Sequence, residues 1–169
     1  MELKKDILIE IDGLGIIIYS PHAVSFIQED EDYLTSKYLT AEQVADHVNN
    51  GTIVSFGTGS PGNYLLKIRS GYPNENLLDS FDFVLRLGIQ VSGEIIFFRD
   101  LYDLMEWTSH CPSTQSIHLE NGYYHITVFS NLPKSGIRGE NQEIYVYFNK
   151  LRCFPKIKYY GVPTFEQLT

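Results

Sequence analysis

The strictest constraint in this chain is a period of two. Phe83, Leu85, Leu87, Ile89 and Val91 alternate with the polar Asp82, Arg86 and Gln90. Ile7, Ile9 and Ile11 alternate with Asp6, Glu10 and Asp12, and Ile144, Val146 and Phe148 with Glu143, Tyr145, Tyr147 and Asn149. Successive side chains of a strand point to opposite faces, so these segments read as strands with one buried and one wet face. That is the habit of antiparallel sheets. Further strands are expected over residues 15–20, 52–56, 63–69, 94–98, 115–119, 123–130 and 156–160. Turn residues punctuate them: Asp12–Gly13, Gly57 to Gly62, Ser92–Gly93, Asn121–Gly122 and Gly139. Strands recurring about every 10 residues predict an all-β, mainly antiparallel β-sandwich. No repeat, low-complexity tract or linker divides it, so one domain is expected over residues 1–169.

Two short helices interrupt the alternation. Thr40 followed by Gln43 reads as a capping box, Val44 and Val48 share one face, and Gly51 supplies the stop, which predicts a helix over 41–49. Asp100 as N-cap, with Leu101, Leu104 and Met105 on one stripe, predicts a second over 100–107. Both are too short to stand without a sheet beneath them.

Composition removes whole classes of function. A chain of 169 residues with 12 Tyr and 10 Phe is long and apolar enough for a real core, which excludes disorder. Glu10 and Asp12 break the most apolar N-terminal stretch, well short of the ~20 residues that span a bilayer. No signal-peptide stretch follows Met1 to Asp6, and Cys111 and Cys153 lie far apart with no Cys-x-x-Cys pair. A cytoplasmic protein with two inert thiols is expected, and zinc held by cysteines is excluded. The formal charge of −8 is uneven. Residues 1–85 hold thirteen acids against five Lys and Arg, and residues 86–169 hold eight of each. Such a balance repels phosphate backbones and argues against nucleic acid as a partner.

Few motifs carry chemistry. Gly57 to Gly62 matches the dinucleotide glycine pattern, but a strand follows it where the pyrophosphate needs a helix N-terminus, so it reads as a mobile hairpin loop. No G-x-S-x-G is present, and the neighbours His110 and Cys111 point apart on a strand. No catalytic residue and no cofactor are implied. Asn121–Gly122 is a strong signal for a two-residue hairpin turn. Such a turn would set His118 opposite His125, ~5 Å apart at Cβ, with Glu120 as a third candidate metal ligand. Glu29, Asp30, Glu31 and Asp32 form the one dense charge run, which lacks the alternation and central glycine of a calcium loop. It reads as a solvated loop or as an electrostatic docking patch for a basic partner. Lys150, Arg152, Lys156 and Lys158, interleaved with Phe154, Tyr159 and Tyr160, form a basic stripe that in isolation would suit single-stranded nucleic acid but in a chain of charge −8 is expected to pair with the acidic half.

The order of segments over residues 42–149 resembles the bacterial competence protein J family of DNA-entry nuclease inhibitors. The stretches that carry it are Glu42–Val44, Gly51–Phe56, Tyr64–Arg69, Leu119–Val128 and Glu143–Tyr147. The resemblance implies a protein that binds a nuclease or toxin and transfers no individual functional residue. The expectation is a non-catalytic, acidic protein-binding domain, an inhibitor or immunity-type factor against a basic nuclease or toxin. The alternative is a small metal-dependent enzyme or ligand-binding protein using His118 and His125.

Overall fold

The computed structural model describes residues 2–157 and 159–165. Nine strands among those residues form two sheets. One has five strands in the order β1 (Lys4–Ile11), β4 (Gly62–Ser70), β9 (Gln142–Leu151), β8 (Gly122–Ser130) and β5 (Phe83–Val91). The other has four, in the order β3 (Ile53–Gly57), β2 (Gly15–Tyr19), β6 (Ile95–Asp100) and β7 (Ser116–His118). Neighbours are antiparallel except β4 and β9, which run parallel with Tyr64 opposite Gln142.

The alternation works as read. Ile7, Leu66, Val146, Ile126 and Leu87 from the five-stranded sheet join Ile16, Ile18, Phe56, Ile96 and Phe98 from the other in one buried core. β2 and β3 are buried along their whole length, because the far face of their sheet is covered too. That cover comes from α1 (Tyr33–Lys37), α2 (Ala41–Asn50) and 3-10 turns at Pro21–Val24 and Leu101–Met105. Its apolar side chains (Val24, Ile27, Val44, Val48, Leu104 and Trp107) meet Ile17, Tyr19 and Ile53 in a second core. A strand buried on both faces loses its polar alternation, which is why the stretch Ile16 to Tyr19 is uniformly apolar.

The capping box at α2 forms. The Gln43 N–H donates to Thr40 Oγ1 at 3.1 Å, and the Thr40 N–H donates to Gln43 Oε1 at 3.0 Å. Gly51 ends the helix at φ 65°, the left-handed region that suits glycine. His47, buried on the same helix, bridges Tyr33 Oη through Nε2 and Thr52 Oγ1 through Nδ1, each at 2.7 Å. Burial pushes its pKa below the ordinary imidazole value. The neutral ring therefore belongs to the folded state and protonation favours unfolding. Stability from this site is complete above about pH 6.5 and falls as pH drops below it. Urea denaturation at pH 7 and pH 5 is expected to show that loss, and His47→Gln to reduce the difference. His125, also lowered by burial, keeps a residual slope.

The chain beyond β9 closes the fold. It crosses β5 at Gly88, where a Cβ would lie 2.7 Å from Pro155 Cγ. It then meets β3, where the Gly57 N–H donates to the Pro163 carbonyl at 2.7 Å. Phe165 ends up fully buried between Phe83 (5.0 Å, 12° between ring planes) and Phe56 (5.6 Å, 28°).

Several expectations need correction. Residues 156, 157, 159 and 160 are not a strand, and Lys158 lies outside the described residues. This segment is anchored by side chains seated on β5 and β3, not by a ladder. The helix expected over 100–107 is the 3-10 turn Leu101–Met105, and α1 and α3 (Glu75–Leu78) were not foreseen. Gly57 to Gly62 is no hairpin loop: it joins β3 of one sheet to β4 of the other. The Thr58 N–H donates to the Leu14 carbonyl at 2.8 Å, and a Cβ on Gly62 would lie 2.3 Å from the Gly139 carbonyl oxygen. The glycines serve close backbone packing.

Candidate functional site

The layer over the four-stranded sheet gathers acidic residues from two distant parts of the chain. The loop before α1 and the one after Leu101–Met105 are stitched together. The Asp30 N–H donates to the Trp107 carbonyl at 2.7 Å and the Trp107 N–H to the Glu31 carbonyl at 3.0 Å. The Ser109 N–H donates to Glu29 Oε1 at 2.7 Å. Three of the four acids accept hydrogen bonds through their side chains while the run stays largely exposed. Glu31 accepts the Gln28 N–H, and Asp32 is the N-cap of α1, accepting from the Thr35 N–H at 3.1 Å and from its hydroxyl. The Ser109 side chain and N–H hold Glu29 below the ordinary carboxylate range, and Thr35 does the same for Asp32. A depressed folded pKa means stability present at neutral pH and lost as pH falls through the folded value.

Residues 21–50 and 101–110, which make up this layer, hold Glu29, Asp30, Glu31, Asp32, Glu42, Asp46, Asp103 and Glu106 against Lys37 alone. Six of the eight carboxylates are exposed. Among them stand exposed apolar side chains, Phe26 and Met105, about half accessible at 55% and 46%. Beside Glu29 lies a cleft of about 370 Å³ walled by Tyr19, Pro21, Trp107 and Ser109.

A buried arginine holds this layer in place. Arg99 sits on β6 at 3% exposure. Its Nε donates to Asp103 Oδ2 at 2.9 Å, and its Nη1 to Tyr19 Oη at 3.1 Å and the Thr108 carbonyl at 2.6 Å. The guanidinium lies 4.6 Å from the centroid of the Trp107 ring. Burial pushes the Tyr19 hydroxyl up to about 12 and the Cys111 thiol up to about 11, so both are protonated at neutral pH. Cys111 is therefore a poor nucleophile. Sequence reasoning missed Arg99; its one signal is a charge directly following the apolar run Ile95 to Phe98.

The histidine pair comes apart. His118 lies on β7, opposite Ile95, whereas His125 lies on β8, between Gly88 and Asn149. The two strands belong to different sheets. A type I′ turn needs positive φ at both central residues, and Asn121 is not among the non-glycine residues with positive φ. Asn121 Oδ1 instead accepts the Glu94 N–H at 2.7 Å, and the chain passes between sheets. Glu120 pairs with Lys150 at 2.6 Å. His125 Nδ1 meets Tyr72 Oη at 2.6 Å. Among the described residues, no three His, Cys, Asp or Glu side chains are grouped to hold a metal ion. Among the described residues of the basic stripe, Lys150 binds Glu120 of its own half and Phe154 packs on Tyr123 at 6.0 Å between ring centroids, whereas Tyr160 hydrogen-bonds to Glu42 of the acidic half.

Two solved structures resemble the chain over nearly its full length. One is the crystal structure of ComJ, inhibitor of the DNA degrading activity of NucA, from Bacillus subtilis. It matches at a TM-score of 0.55 and 11% identity, covering 89% of this chain and 99% of ComJ. This chain has a ComJ-like fold. The other, Crocagin biosynthetic gene J, matches at a TM-score of 0.56 and 8% identity, covering 87% of this chain and 97% of its own. No protein-family profile matches the chain, and no curated protein matches it in sequence. At these identities the likeness is one of fold alone. Among the described residues no helix is long and apolar enough to cross a membrane.

Proposed function

We propose that the chain is a single, non-catalytic β-sandwich domain whose acidic layer docks a basic protein, a nuclease or toxin, and acts as its inhibitor or immunity-type factor. The observation that carries the reading is the gathering of eight carboxylates, of which Asp103 is paired with Arg99, against one lysine on one covering layer, with Phe26 and Met105 exposed on it. Apolar anchors within a charged rim are the usual anatomy of a protein interface. A field of one sign speeds encounter with a basic partner and is screened over about 8 Å at physiological salt. The ComJ-like fold supports the same class of role, since ComJ inhibits a nuclease.

The test is whether a basic nuclease or toxin, sought among the products of neighbouring genes, forms a complex with this chain and is inhibited by it. Replacing Glu29, Asp30, Glu31 and Asp32 by Gln and Asn removes the charge but keeps the acceptors used by Ser109 and Thr35. Association at low salt is expected to slow roughly tenfold or more and to lose its salt dependence, with dissociation little changed. No complex at low salt, or an unchanged association rate in the variant, overturns the reading.

A further inference from the structure

We propose that the chain carries a second, independent binding site for a small molecule with an ammonium group on an apolar stem. The site is a cleft of about 500 Å³ between the ends of the two sheets, within the ~300–1,000 Å³ typical of small-molecule sites. One wall is the five-stranded sheet, through Tyr124 and Phe148; the other is the chain leaving β7, through Leu119. Tyr124 and Phe148 belong to the main core, and Leu3 and Leu119 pack against it, so an apolar stem entering here would touch the core directly. The N-terminal edge is pinned by the Leu3 N–H, which donates to Ser70 Oγ at 2.9 Å.

The rim sets the charge of the ligand. Glu2, Glu94 and Glu120 line the mouth against Lys150, with His118 beside them. The 2.6 Å pair between Lys150 and Glu120 balances two of these charges, and the amino-terminal charge also acts on Glu120, which leaves one net negative charge over an apolar floor. The Glu94 backbone is fixed there from both sides, with its carboxylate exposed. Its N–H is held by Asn121 Oδ1 at 2.7 Å, and its carbonyl accepts the Leu119 N–H at 3.1 Å. An alkylammonium satisfies both features, because its stem buries apolar surface and its head meets the surplus negative charge.

The probes are hexylamine, hexanol and hexanoate, titrated separately into the full, isotopically labelled chain and followed by backbone amide shifts. Hexylamine is expected to bind roughly tenfold tighter than hexanol, with hexanoate weaker than both, and the shifts to centre on Glu94, Leu119 and Tyr124. Glu94→Gln is expected to weaken hexylamine roughly two- to fivefold, the range for partly exposed ion pairs, and to leave hexanol unchanged. Lys150→Met, which frees Glu120, is expected to tighten hexylamine by a similar factor, a gain that loosening of the fold would not produce. Equal affinity for the three probes, shifts centred elsewhere, or no response to either variant overturns the proposal. None of these outcomes bears on the acidic layer, whose residues are not part of this cleft.

Discussion

Phe165→Ala is expected to destabilise the domain by about 3–5 kcal/mol, the usual cost of deleting a fully buried phenylalanine from a core. Phe165 is the last buried side chain among the described residues of a segment also held by backbone contact at Gly57, by Pro155 and Ile157 against Gly88, and by Tyr159 and Val162 packed on the two cores. Its ring fills the space between Phe83 of β5 and Phe56 of β3, one strand from each sheet. Removing it leaves a void that neither strand can collapse into without breaking its own ladder. For a domain of this size, a loss of that order lowers the midpoint of thermal unfolding by ~6–20 °C. Circular dichroism melts of the two proteins provide the check. A fall of under about 2 °C would mean that the C-terminal segment is only loosely seated.

Arg99→Met is the second large effect. Methionine fills the volume and keeps an apolar contact with Trp107, but the Tyr19 hydroxyl and the Thr108 carbonyl lose their donor. Breaking a buried ion pair from one side costs ~3–5 kcal/mol. Here the low end is expected, because the Asp103 side chain is 40% exposed and can be solvated. Arg99→Lys is expected to recover little, since one ammonium cannot present a planar fork to three acceptors around a ring. The loss has a place as well as a size. Thr108 adjoins Trp107 and Ser109, which hold the Glu29 to Glu31 loop, so amide hydrogen exchange should quicken at Asp30, Trp107 and Ser109 before it does in β8 or β9. Uniform quickening across both sheets would show that Arg99 serves global stability alone.

How far the fold is legible in the residues depends on how local the determining interaction is. β1, β5 and β9 follow from alternation because each strand has one wet face. The capping box at Thr40 needs nothing beyond Gln43. Asn121–Gly122 shows the limit: a strong turn signal marks a change of direction but does not say whether the next strand pairs with the last one or crosses to the other sheet. Strand partnership is decided by distant residues, and so the parallel pairing of β4 with β9 leaves no local trace. Arg99 is unreadable for a related reason. A buried charge looks like an error until the carbonyl and hydroxyl that receive it are known. The acidic run was readable as charge, whereas its hydrogen bonds to Ser109 and Gln28 were not. The notch at Gly88 likewise has meaning only once Pro155 sits in it.

The position of β9 has a consequence for how the chain is made. It lies in the middle of the five-stranded sheet, with β4 on one side and β8 on the other, yet it begins only at Gln142 of 169 residues. A ribosome delivers β1, β4, β5 and β8 first, as two pairs with nothing between them. Synthesis at about 5–20 residues per second leaves both inner edges unpaired for seconds, long enough for hairpins to form and for exposed edges to meet other chains. The sheet therefore assembles from its margins inward, once β9 has followed the four strands that flank it. Folding of this domain is expected to be slow and vulnerable until β9 arrives.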